Sequence, residues 1–246
     1  MRLKFILAAL AAIAFAPPAQ AAGPFGDWAA IVVAADFHAH SGADSEVFDN
    51  ARRDIATGLV GLGFAPANVM QFSVRPERYP MQQPRPSNPA TIANSLWDLS
   101  NRTSGGCFAY FTSHGNTQGI AIGDGMLAPD MMNQMISNAC GDRPTVVVVS
   151  ACFSGVFIPV LAAPNRLVVT AARRDRTSFG CGEQFKYTYF DDCFLQNLPS
   201  SGNFPDLAHN AIACITAREK KEGIKYSSEP QLSIGADVAA KLPHWK

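Results

Sequence analysis

Thr145-Val146-Val147-Val148-Val149-Ser150-Ala151-Cys152-Phe153-Ser154-Gly155 is the stretch on which the reading of this chain turns. Four consecutive valines show no alternation of polar and apolar residues. A strand built from them is therefore buried on both faces, as in a parallel sheet covered by helices. β-Branching at each of these positions favours the extended backbone. The strand is expected over Thr145–Ala151, and Cys152 stands where the chain turns toward a helix expected over Ser154–Ala163.

Outward from this strand the same grammar recurs. Ala29–Ala35, Asn68–Val74, Cys107–Thr112 and Leu167–Ala171 predict four further strands. Val47, Ile55, Leu59 and Leu62 carry a helical spacing within Asp44–Gly63, with Gly63 as the C-cap. Asn88–Asn101 predicts a helix opened by Pro89, with Ile92, Leu96 and Leu99 on one face. Pro129–Ala139 and Asp206–Lys221 read as helices, and Gly119–Met126 as a hairpin around Gly123-Asp124-Gly125. The stretch Tyr79–Pro89 is a loop, and beyond Ala172 the pattern weakens. Strands alternating with helices imply βαβ units and an α/β sandwich with a mostly parallel central sheet.

Composition sets the outer bounds. The 246 residues include 20 basic and 20 acidic side chains, a formal net charge of zero, and 48% are hydrophobic. A disordered solvating chain needs the opposite balance, and a nucleic-acid binder needs a basic surplus to meet phosphates. Six cysteines are far too few for a disulfide-stapled mini-protein. At the N-terminus, Arg2 and Lys4 precede an apolar run from Phe5 to Ala16, then Pro17-Pro18 and Ala19-Gln20-Ala21. This is the pattern of a signal peptide over residues 1–21. The twelve apolar residues are too few for a membrane span, which takes roughly 20. Cleavage after Ala21 leaves 225 residues with a formal charge of −2. The expectation is one domain over residues 22–246, exported to a bacterial periplasm or secreted, with no membrane anchor after cleavage.

Ligands of parallel sheets bind beyond the carboxyl ends of the strands. Three strands end in reactive side chains: Asp36, His38 and His40; Ser113-His114-Gly115; and Ser150-Ala151-Cys152. Two chemistries compete for them. A thiol at Cys152, before a helix N-terminus, is placed to ionise, with His114 on a neighbouring strand end as its base. The N–H groups of Gly115 and Cys152 would then face an oxyanion. Alternatively, the His38-x-His40 pair could hold a metal ion for a hydrolase, although the chain has only three further histidines: His114, His209 and His244. A third reading is a non-catalytic binding domain on the same scaffold.

Cys107–Asn116 (CFAYFTSHGN) followed by Val146–Gly155 (VVVVSACFSG) resembles the legumain-like cysteine peptidases, which share a caspase-type fold. His114-Gly115 and Ala151-Cys152, with Ser154-Gly155 behind, match the two strand-terminal signatures of that family, 38 residues apart. The likeness extends to Ala29–Ala35, Gly63–Val69 and the region from Ala171 to about Phe194. It implies a caspase-like three-layer sandwich and an endopeptidase acting on peptides or proteins through a thioester acyl-enzyme, with acyl transfer to an amine as a variant. Cys152 would be the nucleophile and His114 would handle the proton. The mechanism calls for no cofactor and no metal.

The family's specificity residues do not carry over cleanly. Ser150 stands where a pocket glutamate is expected, and the pocket arginine falls near Val47, with Arg52 and Arg53 reachable only by a shifted alignment. Asp192 matches an acidic position of the substrate pocket. Preference for Asn, Asp or a basic residue is therefore open. With Cys152 kept as a thiol, the other five cysteines cannot all pair. A Cys181–Cys193 bridge would clip the loop expected to carry Asp192.

Overall fold

The computed structural model describes residues 23–246; the expected signal peptide at residues 1–21 lies outside them. Ten strands and six α-helices follow in order: β1 (Ala29–Ala34), α1 (Val47–Gly61), β2 (Val69–Ser73), β3 (Arg85–Pro86), α2 (Pro89–Asn101) and β4 (Cys107–Thr112). Then come β5 (Gly115–Asn116), β6 (Gly119–Ile122), β7 (Gly125–Leu127), α3 (Pro129–Cys140), β8 (Thr145–Ser150), α4 (Ile158–Leu161) and β9 (Arg166–Thr170). The chain closes with α5 (Tyr189–Asn197), α6 (Phe204–Lys221) and β10 (Gln231–Ile234). Seven strands form one sheet in the order β10-β9-β8-β4-β1-β2-β3. All neighbours run parallel except β10, which pairs antiparallel with β9.

The valine run lies near the middle of this sheet, and its two faces separate two cores. Val146 and Val148, with Ala30, Val32, Phe108 and Tyr110, pack against α1, α5 and α6. Val147 and Val149, with Ile31, Val33, Ala109 and Phe111, pack against α2, α3 and Phe157. Each buried valine is worth roughly 1.5–3 kcal/mol of transfer free energy, and the run feeds both cores alike. Helices thus cover both faces, and the chain forms a three-layer α/β sandwich.

Local chemistry fixes the helix starts. The Asn88 side chain accepts from Thr91 N–H at 2.9 Å, with Pro89 in the first turn of α2. Asn203 does the same for Asp206 N–H at 2.8 Å in α6, whose last turn carries Arg218, Lys220 and Lys221.

Three expectations need correction. Ser154–Ala163 is not one helix: a 3-10 turn over Ser154–Phe157 precedes the single turn of α4. Gly155 and Pro159 explain the break, the first by its flexibility and the second by its missing N–H. Secondly, regular structure fills stretches expected to lack it: β3 lies within the expected loop Tyr79–Pro89 and pairs with β2, and α5 and β10 occupy the region where the sequence pattern weakens. Thirdly, the Cys181–Cys193 bridge does not form. Cys193 pairs with Cys214 between α5 and α6, and Cys107 pairs with Cys140, joining β4 to α3. Cys193 is on the buried face of α5, in the core with α6, whereas Cys181 sits in the loop beside Cys152, and both of these are free thiols.

Candidate active site

β4 and β8 are hydrogen-bonded in register, with Thr112 opposite Ser150. His114 and Cys152 each lie two residues further on, so the ladder delivers both to the same edge of the sheet. They line one cavity of about 440 Å³ with His40, Phe179, Cys181 and Phe185. A larger groove of about 500 Å³, between Ile158, Arg173 and Gln231, contains no nucleophile–base pair.

The histidine is held from several sides. Ala121 N–H donates to His114 O at 2.9 Å, fastening it to β6. The Phe48 ring meets the imidazole edge-on, with centroids 5.2 Å apart. His114 Nε2 lies 3.0 Å from the carbonyl oxygen of His38. A carbonyl only accepts, so this bond places the proton on Nε2 and leaves Nδ1 as the basic nitrogen of the neutral ring. The His38 carbonyl is itself set by Asp36, whose Oδ1 accepts from Phe37 N–H at 2.6 Å, His38 N–H at 3.0 Å and His38 Nδ1 at 2.8 Å. Arg75 braces the same loop, bonding Asp44 at 2.7 Å and the Ser45 carbonyl at 2.9 Å.

Gly115 has a specific reason to be glycine. A Cβ there would be driven into the backbone oxygen of Cys152, so the histidine loop and the cysteine loop touch at this point. Gly115 faces Ile120, and the neighbouring His114–Ala121 pair carries the ladder bond. Bonded and non-bonded pairs alternate in an antiparallel ladder, so the Gly115 N–H is directed away from β6.

Behind the thiol the backbone is strained. Phe153 has φ +57°, the left-handed region, and its N–H donates to Arg176 O at 2.8 Å. Ser178 N–H donates to Cys152 Sγ at 3.2 Å. Ser154, fully buried, accepts from Ala172 N–H at 3.1 Å, and a Cβ on Gly155 would strike the backbone of Arg173 and Arg174. The Ser154-Gly155 pair is therefore a packing device that lets the returning chain pass behind the thiol.

The two residues expected to shape specificity lie elsewhere. Ser150 is buried, its Oγ 3.3 Å from Thr188 Oγ1. Asp192 is bonded to Arg218 at 2.9 Å, in a groove with Gln196 and Cys214, and does not line the Cys152 cavity. Its neighbour Asp191 is the acid beneath the strand ends: it accepts from Tyr110 Oη and Thr112 Oγ1, both at 2.7 Å. Burial pushes the Asp191 carboxyl up against the pull of these bonds, and burial beside that acid holds Tyr110 well above its ordinary value. Burial, and then the neighbouring Cys152, raise the Cys181 thiol.

The arginines named as alternatives are also engaged. Arg52 is fully buried, bonded to Asp49 at 2.8 Å and Gln71 at 2.5 Å, and Arg53 pairs with Asp54. His38 and His40 do not converge on a metal site. Among the described residues no three His, Cys, Asp or Glu side chains gather to hold one.

Sequence reasoning missed Asp191, Ser178 and the His38 carbonyl. Only the first had a readable signal: Thr188-Tyr189-Phe190-Asp191 is a capping pattern, and Thr188 does cap α5 by accepting from Asp191 N–H at 3.1 Å. The other two act through backbone atoms, which leave no residue-type signature.

Comparison with known proteins bears on the fold and the family. No curated protein matches the sequence. The solved crystal structure of caspase-1 from Spodoptera frugiperda is similar at a TM-score of 0.61 and 13% identity, over 90% of this chain and 92% of that one. Identity this low speaks for the fold alone, which is caspase-like. Residues 89–222 match the Peptidase C13 family, a span that holds β4, β8, His114 and Cys152. That match takes in more than half of the sequence, and the chain belongs to the peptidase C13 family.

Proposed function

We propose that the protein is a cysteine endopeptidase in which Cys152 is the nucleophile and His114 the general base and acid. The observation that carries this reading is the shared cavity at the paired ends of β4 and β8. The thiol gives its proton to His114 Nδ1, and sulfur forms a bond to the scissile carbonyl carbon. The oxyanion so formed is met by the N–H groups of Gly115 and Cys152. His114 returns the proton to the leaving amine as the C–N bond breaks, which leaves a thioester on Cys152. Water, activated by the same imidazole, adds to the thioester; sulfur leaves and regains its proton. An external amine in place of water would give transpeptidation.

The site of action we propose is outside the cytoplasm. Support comes from the N-terminal pattern at residues 1–21 and from two disulfides, which persist in oxidising compartments. The test of the chemistry treats the protein with iodoacetamide or with a chelator and follows cleavage of a mixed peptide library. Loss on alkylation alone is expected; loss with the chelator alone would sink the thiol mechanism. N-terminal sequencing of the secreted form, expected to begin at Ala22, tests the export reading.

A further inference from the structure

The cavity beside Cys152 is walled by Phe179, Cys181 and Phe185. Cys181 and Phe185 in turn pack on an apolar cluster of Ala34, Val47 and Phe48. No Asp, Glu, Lys or Arg lines it; besides Cys152 and its partner His114, the only other titratable groups are Cys181 and the rim residue His40. The nearby charged side chains are engaged outside the cavity, Glu183 of the wall segment among them, which accepts from the Ser41 hydroxyl and lines the adjoining groove without a counter-ion. Asp36 holds His38, Asp191 lies under Tyr110 and Thr112, and Asp192 pairs with Arg218. Arg173 and Arg176 share Glu229. In the adjoining groove, Asp44 and Glu46 are ion-paired with Arg75 and Arg78. Gln184 offers the one amide side chain of the lining, and it folds back over Gly182.

We infer that this cavity receives an uncharged, apolar side chain from the residue on the acyl side of the scissile bond, of the Leu, Met or Phe class. The inference rests on the peptidase reading and deepens it by naming the substrate class. A carboxylate or guanidinium placed here would lose water without gaining a counter-ion. An apolar side chain gains transfer free energy against the phenylalanine walls. A Cys181 thiol held neutral adds to the apolar wall.

The test is a set of fluorogenic tetrapeptides, identical except for Leu, Met, Phe, Ala, Asn, Asp, Arg or Lys at the acyl position. The matching peptidyl chloromethyl ketones are run in parallel, with Cys152 alkylation read by mass spectrometry. For Asp, Arg and Lys, kcat/KM is expected at least about 100-fold below Leu, and for Asn about 10-fold below. Faster turnover after Asp, Asn, Arg or Lys than after Leu overturns the apolar pocket while leaving the peptidase reading intact. No turnover of any member, with Cys152 unlabelled throughout, overturns both. As a second variant, Phe185→Ala enlarges the cavity and is expected to raise the Phe-to-Ala preference severalfold. A uniform loss across the set would overturn the role given to Phe185.

Discussion

His114 and Cys152 stand at equal distances beyond a paired position of two adjacent parallel strands, Thr112 on β4 and Ser150 on β8. Their juxtaposition is set by main-chain hydrogen bonds. Replacing either side chain therefore removes chemistry without removing what positions its partner. Cys152→Ala and His114→Ala are each expected to lower kcat by at least about 1,000-fold with unchanged circular dichroism and melting temperature. Residual turnover within tenfold of the parent in either variant would refute the assignment.

Gly115 makes the contact between the two loops. Gly115→Ala places a methyl group against the Cys152 carbonyl oxygen, so one loop must shift by several tenths of an ångström. The expected outcome is a loss of about 100-fold in kcat/KM, since misplacements of this order carry that cost. Stability should fall by only about 1–2 kcal/mol, measured by urea unfolding.

Asp36 acts on the imidazole through the His38 carbonyl. Asp36→Ala removes the acceptor that sets this carbonyl and is expected to lower kcat about tenfold with little change in KM. Asp36→Asn keeps an acceptor oxygen and should recover most of the loss. A merely structural role would move KM and melting temperature in both variants alike.

Cysteine pairing is open to direct mapping. Under denaturing, non-reducing conditions two thiols, Cys152 and Cys181, should alkylate. In the folded protein Cys152 should react before Cys181, whose thiol is raised by burial and by its neighbour. The Cys193→Ala/Cys214→Ala double variant should lose about 2–4 kcal/mol, read from the urea midpoint.

Asp191 couples stability to pH. Folding raises its carboxyl, so the folded chain binds this proton more tightly than the unfolded chain does. Its contribution is complete below the ordinary carboxylate range and is lost as pH rises through the raised value. Asp191→Asn should therefore flatten the difference in urea midpoint between pH 4 and pH 7 relative to the parent. Asp191→Ala, which strands the Tyr110 and Thr112 hydroxyls, should cost about 1–3 kcal/mol for each unpaired group.

The central strands were legible because double burial leaves a signature no other element shares: β4 coincides with its expected bounds, and β8 differs by one residue. The placing of His114 and Cys152 beyond two neighbouring strand ends, in one cavity, was legible because ligands of such sheets bind past the carboxyl ends of the strands. Specificity was not. Asp191 and Asp192 are adjacent acids in one helix, and the turn of α5 alone decides which faces the strands. Cys193 found Cys214 because α5 and α6 form an antiparallel pair, and α5 has too short an apolar pattern to announce itself. β10 escaped notice because a four-residue edge strand, half exposed, carries little hydrophobic signal.

The left-handed turn at Phe153 has a practical consequence. Two hydrogen bonds from main-chain N–H groups, Phe153 N–H to Arg176 O and Ser178 N–H to Cys152 Sγ, tether the thiol's own turn to the segment that forms the cavity wall. This segment is therefore not an interchangeable cassette. Grafting a different 176–182 sequence to retarget the protein would also re-aim the sulfur. Engineering of selectivity must keep the two tethers in place and vary only the side chains between them.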